Sequence, residues 1–147
     1  MSSVHVKKAM TFILAMLLIV ALGGCNFLKI EQALSKEDAR NLALTCFEEH
    51  QTDMEAITQS DTAYGETKWC KVYSSSSSQC EFVLHQTGFT GTNTRTGIVY
   101  IPTDTPDSTY TQDENNPDVY SYENNLDQYI LERIEKNWFF FYYEYDF

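Results

Sequence analysis

The chain has few of the residues that interrupt regular structure. It holds 6 glycines and 3 prolines in 147 residues, too few for a collagen-like or linker-dominated protein. Positive charge is also scarce: 10 Lys and Arg stand against 21 Asp and Glu, a formal charge of −11. Nucleic-acid binding needs a clustered basic face and is excluded on that ground. There is no G-x-S-x-G elbow, P-loop or G-x-G-x-x-G, and no cysteine pair has the Cys-x₂-Cys spacing of a structural zinc site. Apolar material is plentiful, with 43% hydrophobic and 14% aromatic residues. That much apolar surface can offset the entropy of ordering, which excludes a disordered chain. The length fits one domain.

The amino terminus reads as an address. Lys7 and Lys8 precede an apolar run from Ala9 to Ala21 in which Thr11 is the only polar residue, and Leu22-Gly23-Gly24-Cys25 follows. The run is short for a hydrocarbon layer of about 30 Å, which takes roughly 20 helical residues, and its charge and small-residue end are those of a secretory signal. These residues resemble the lipobox signal of bacterial lipoproteins. The resemblance implies that residues 1–24 are removed and that the Cys25 thiol carries a diacylglycerol. It also implies a domain lipid-anchored to a bacterial membrane and facing outside the cytoplasm. In a two-membrane bacterium, Asn26 after the cysteine implies the outer membrane. Two acyl chains hold such a domain firmly, whereas its acidity would be repelled by anionic lipid.

Residues 25–34 then form the lipidated cysteine and a tether, and 35–147 a single globular domain. Ser35 is a good N-cap, with Glu37 and Asp38 suited to the first turn. Ala39, Leu42, Ala43, Cys46, Phe47, Met54 and Ile57 recur at helical spacing, which predicts a helix over 36–59. After Ser60 the period becomes that of strands. Thr67–Tyr73 and Gln79–His85 flank a five-serine hairpin tip, Gly97–Thr103 makes an inner strand, and Asp104–Asp118 is expected as an exposed loop. Tyr129–Glu135 and Trp138–Tyr145 fit a hairpin around Lys136-Asn137, with a helix from Leu126 the competing reading. Trp138–Phe147 holds eight aromatics. As a strand it sets Phe139, Phe141, Tyr143 and Tyr145 on one face and Trp138, Phe140 and Tyr142 on the other. The expected fold is α+β, an N-terminal helix packed on an antiparallel sheet of four to six strands. The element order and the final Ile-strand, turn and Trp resemble cystatin-like and NTF2-like domains, folds that serve enzymes, binders and inhibitors alike.

Candidate chemistry follows from few residues. A hairpin centred near position 75 would set Cys70 opposite Cys80, within reach of a disulfide outside the cytoplasm. Cys46 is then left as a core thiol on the apolar helix face. Cys46, His50, Cys70, Cys80 and His85 are the zinc-ligand alternative, though His85 falls on the strand face opposite Cys80. Asp104, Asp107, Asp113, Glu114 and Asp118 supply calcium-type oxygens without the order of a calcium loop, so a solvated loop is the better account. His50 and His85 are the histidines left for a hydrolase once the signal is gone. From Val72 to Glu132 the only basic residue is Arg95, against nine acids, so a partner for that region is basic or cationic. Tyr142, Tyr143, Tyr145, Asp113 and Glu114 are the expected binding surface.

The sequence therefore predicts a lipid-anchored module that binds a basic protein or peptide, with no enzymatic role, cofactor or metal. A small-molecule carrier with an NTF2-like aromatic pocket is the alternative. A hydrolase or metal enzyme ranks third.

Overall fold

A computed structural model of the chain describes residues 32–60, 64–74, 79–88 and 92–146. The lipidation site expected at Cys25, with the signal before it, lies outside these residues. Helix α1 spans Lys36–Thr58, and the Ser35 hydroxyl accepts the Asp38 backbone N–H at 3.1 Å. That bond satisfies one of the donors a helix start leaves open, and the carboxylates of Glu37 and Asp38 suit its positive end. Ala39, Ala43, Cys46, Phe47 and Met54 are buried along one stripe. Leu42, expected in that stripe, is exposed.

Eight strands follow: β1 (Tyr64–Glu66), β2 (Lys71–Ser74), β3 (Cys80–Gln86), β4 (Thr92–Tyr100), β5 (Thr111–Gln112), β6 (Val119–Glu123), β7 (Asp127–Glu135) and β8 (Trp138–Asp146). They form one antiparallel sheet in the order β1-β2-β3-β4-β8-β7-β6-β5. The element order, one helix and then an antiparallel sheet, is as expected. The expected four to six strands are not, because the sheet has eight.

Two sequence signals concealed the extra strands. Thr67–Tyr73 was expected as one strand, but the Thr67 hydroxyl accepts the backbone N–H groups of Trp69 and Cys70 at 3.2 and 2.9 Å. This side-chain turn reverses the chain between β1 and β2. Asp104–Asp118 was expected as a loop, yet it contributes β5, and β6 begins directly after it. Its two prolines and its acids masked the alternation of Val119, Tyr120 and Tyr122. The inner strand expected over Gly97–Thr103 is Thr92–Tyr100 instead, starting five residues earlier and ending two residues before Pro102.

The final hairpin is present and the helix alternative is not. Asn137 turns it with φ 70°, a conformation that asparagine tolerates. Its side-chain amide donates to the carbonyls of Ile101 and Pro102 at 3.0 and 2.8 Å. The Asp104 carboxylate receives the Asn137 backbone N–H and the Arg133 guanidinium, which pins the loop after β4 against the turn.

β8 lies inside the sheet and carries a core on each face. Trp138, Phe140 and Tyr142 join Phe82, Ile98 and the apolar stripe of α1. Phe139 and Phe141 join Val83, Val99, Ile101 and Leu131 on the other face, with Tyr73, Tyr110, Tyr120 and Tyr129 packed around them. No helix covers this second face among the described residues, and its outer layer is tyrosine.

Candidate functional site

The tyrosine layer follows from strand register. Tyr122 on β6 stands opposite Tyr129 on β7, Tyr129 opposite Tyr143 on β8, and Tyr143 opposite Arg95 on β4. Cross-strand partners share a face, so three tyrosines form a row across three adjacent strands. Two pairs further along, on the same face, Asp127 stands opposite Tyr145, and the Tyr145 ring stacks on Tyr143 at 4.8 Å. Tyr110, from the loop before β5, leans over the row 5.6 Å from Tyr129 and 6.3 Å from Tyr122. With Thr109 and Asp127, these four tyrosines line a pocket of about 420 Å³.

The chemistry of the lining is set by carboxylates behind the rings. Tyr143 donates its hydroxyl to Asp127 Oδ1 at 3.0 Å, and Asn124 Nδ2 donates to Asp127 Oδ2 at 3.0 Å. Tyr129 reaches Glu81 on β3 at 3.4 Å. Burial pushes the hydroxyls of Tyr110 and Tyr129 above the ordinary phenol range, and the negative charges of Asp107 and Glu81 push them further. The Tyr143 hydroxyl is raised by burial and by its bond to Asp127. All three phenols therefore stay protonated through neutral pH. Arg95 is turned to other partners: its guanidinium pairs with Glu81 at 2.5 Å and lies 4.7 Å over the Tyr73 ring.

Of the expected binding surface, Tyr143 lines this pocket and Tyr145 stacks behind it. Tyr142 does not belong to it. It is 8% exposed on the α1 side, with its hydroxyl 3.4 Å from the Leu34 carbonyl. Asp113 and Glu114 sit in the exposed β5–β6 turn, where Asp113 accepts the Asn115 and Asn116 backbone N–H groups. Tyr110, Tyr122, Tyr129 and Asp127 escaped sequence reasoning as site residues. The Tyr-x-Tyr alternation at 120–122 was the available signal for the second of these.

The other candidate sets come apart. Asp104 and Asp118 clasp Arg133, and Asp107 accepts the Thr109 N–H at 2.7 Å, so these acids hold loops locally. The register sets Ser74, and not Cys70, opposite Cys80; the five-serine tip expected between the strands lies, from residue 75 on, outside the described residues. Cys46, Cys70 and Cys80 are buried free thiols in the core beneath α1. His50 stacks on Trp69 with ring centroids 4.4 Å apart. An irregularity between Val83 and His85 pairs His85 with Thr96. His85 therefore faces the same side as Cys80, and not the opposite one as expected. Among the described residues no group of three His, Cys, Asp or Glu is placed to hold a metal.

Burial raises the thiols of Cys46 and Cys80 to about 11, the nearby Cys70 adding to both, and burial also raises Cys70. In a Cys25→Ala chain at pH 7, all three thiols are expected to resist a maleimide until denaturant is added, and then to react fully. A thiolate is disfavoured only in the folded state, so stability is intact below the ordinary thiol range and falls as pH rises from about 9 toward 11. The urea midpoint at pH 7 and at about pH 10.5 measures this. An unchanged midpoint would contradict the burial of the thiols.

Comparison with protein-family models, with curated proteins and with solved structures finds no match. The resemblance to cystatin-like and NTF2-like domains therefore carries no functional argument, and function is argued from the site alone.

Proposed function

We propose that the chain is an extracytoplasmic bacterial lipoprotein, anchored through lipid on Cys25, whose domain is a binding module and not an enzyme. The observation that supports binding is the tyrosine-walled pocket on the face away from α1. The phenols of Tyr110, Tyr129 and Tyr143 are held protonated, and the Asp127 carboxylate accepts two hydrogen bonds. Such groups supply contact area and orientation, with neither an activated nucleophile nor a base free to activate one. The acidity of Val72–Glu132 sets the sign of the partner, which is cationic.

The anchor rests on Lys7-Lys8, the apolar run and Leu22-Gly23-Gly24-Cys25. In a bacterial host that lipidates exported precursors, the chain is expected to incorporate radiolabelled palmitate and lose residues 1–24. Cys25→Ala is expected to abolish the label and leave the precursor mass. A variant that stays membrane-bound at the processed mass would overturn the anchor. The binding reading is tested separately by cross-linking in native membranes, where a cationic partner captured through the tyrosine face is the expected result.

A further inference from the structure

The four tyrosines stand as walls around one opening and do not form a flat platform. Tyr110 meets Tyr129 at 72° and Tyr122 at 61°, and Tyr129 meets Tyr143 at 41°. Rings at steep angles present differently directed faces and edges, with one face of Tyr129 lying on Phe141 and one of Tyr143 on Tyr145, whereas a sugar ring stacks against a single flat surface. Each ring face carries the negative end of a quadrupole and attracts a cation within about 6 Å of its centroid. Asp127 adds a carboxylate in the lining, and no basic side chain pairs with it among the described residues. Glu81 accepts from Tyr129 and is paired with Arg95, whose guanidinium also lies over Tyr73. The space, about 420 Å³, is a cleft open to solvent and not an enclosed cavity.

We infer that this pocket binds a small soluble organic cation by its quaternary ammonium head, with the tyrosine rings around the methyl groups and the Asp127 carboxylate facing the charge. The inference rests on the binding-module reading and names the ligand class for it. A quaternary head suits a lining made mostly of rings because it needs no acceptor of its own and is held by ring faces and charge alone. The Asp127 oxygens each accept one hydrogen bond already, from Tyr143 and Asn124, which fixes the carboxylate in the lining.

The test is calorimetric titration of the full chain, held in maltoside micelles, with choline, with its uncharged isostere 3,3-dimethylbutan-1-ol and with glycine betaine. Choline is expected to bind saturably at one site, about tenfold or more tighter than the neutral alcohol. Betaine, whose carboxylate meets Asp127, is expected to bind more weakly than choline. Tyr143→Leu should weaken choline binding about tenfold, Tyr143→Phe should leave it within about twofold, and Asp127→Asn should weaken it severalfold. Circular dichroism confirms that each variant is folded.

If the alcohol binds as tightly as choline, the pocket is an apolar site. The cation inference then falls while the binding reading stands. If folded chain binds no choline, the inference falls as well, and the cross-linking experiment decides the binding reading by itself. If phosphatidylcholine vesicles bind and free choline does not displace them, the ligand is a lipid surface and the soluble cation is overturned.

Discussion

Gly97→Ala is expected to lower stability by about 3–5 kcal/mol or more, placing it among the most damaging single substitutions in the domain. A Cβ built on Gly97 falls 2.0 Å from the Phe82 carbonyl oxygen and 3.1 Å from the Leu84 backbone nitrogen. Both are backbone atoms of β3, at the place where its register against β4 slips between Val83 and His85. No rotamer change relieves the clash, because no side chain is involved. Either the two strands separate or the irregularity is lost, and losing it would shift every pair beyond it by one residue. β4 is also tied to β8 along nine residue pairs, so it cannot move alone. Against a folding free energy of about 5–15 kcal/mol, the expected outcome is a melting temperature lower by roughly 10–25 °C, or a chain that does not accumulate. A shift of only a few degrees would mean that β3 crosses β4 differently.

Phe140→Ala and Phe141→Ala are each expected to destabilise the domain by about 3–5 kcal/mol, measured by urea unfolding. The paired result matters more than either value. Phe140 is 1% exposed on the α1 side and Phe141 is fully buried on the other. In a sheet with one face covered by a helix and the other in water, the second substitution would be nearly harmless. Here Phe141 packs with Val83, Val99 and Leu131, and Tyr129 stacks on it at 5.8 Å with the rings 12° from parallel. Its loss therefore removes a core contact and the floor beneath the tyrosine row. Phe140→Ala removes only the former, so ligand binding should survive in the Phe140 variant under conditions where both remain folded.

The face assignment of β8 was legible because aromatics fill both parities of one strand. The helix was legible for a similar reason, with a capping serine followed by acids and a stripe of small and large apolar residues. The pocket was not legible, and the reason is register. Counting outward from a two-residue turn at Lys136-Asn137 pairs Glu135 with Trp138, as observed, and carries Tyr129 to Glu144. The irregularity between Arg133 and Glu135 moves Tyr129 one place, to Tyr143. A single slipped residue thus decides whether the tyrosines line up, and nothing in residues 133–135 announces it. The same difficulty misplaced His85 at the β3 irregularity, whereas Cys70 was set opposite Cys80 by the assumed hairpin centre, where the regular β2–β3 register pairs Ser74 with Cys80. Tyr110 reaches the row from a loop, where no period operates.

The ends of the sheet bear on how copies of this chain behave toward one another. Its two outermost strands, β1 and β5, are three and two residues long. A free strand edge templates the addition of another chain through its unpaired backbone groups, and very short edges give such a template little to hold. For the lipid-anchored form proposed above, margins of three and two residues offer a neighbouring copy little backbone to pair with.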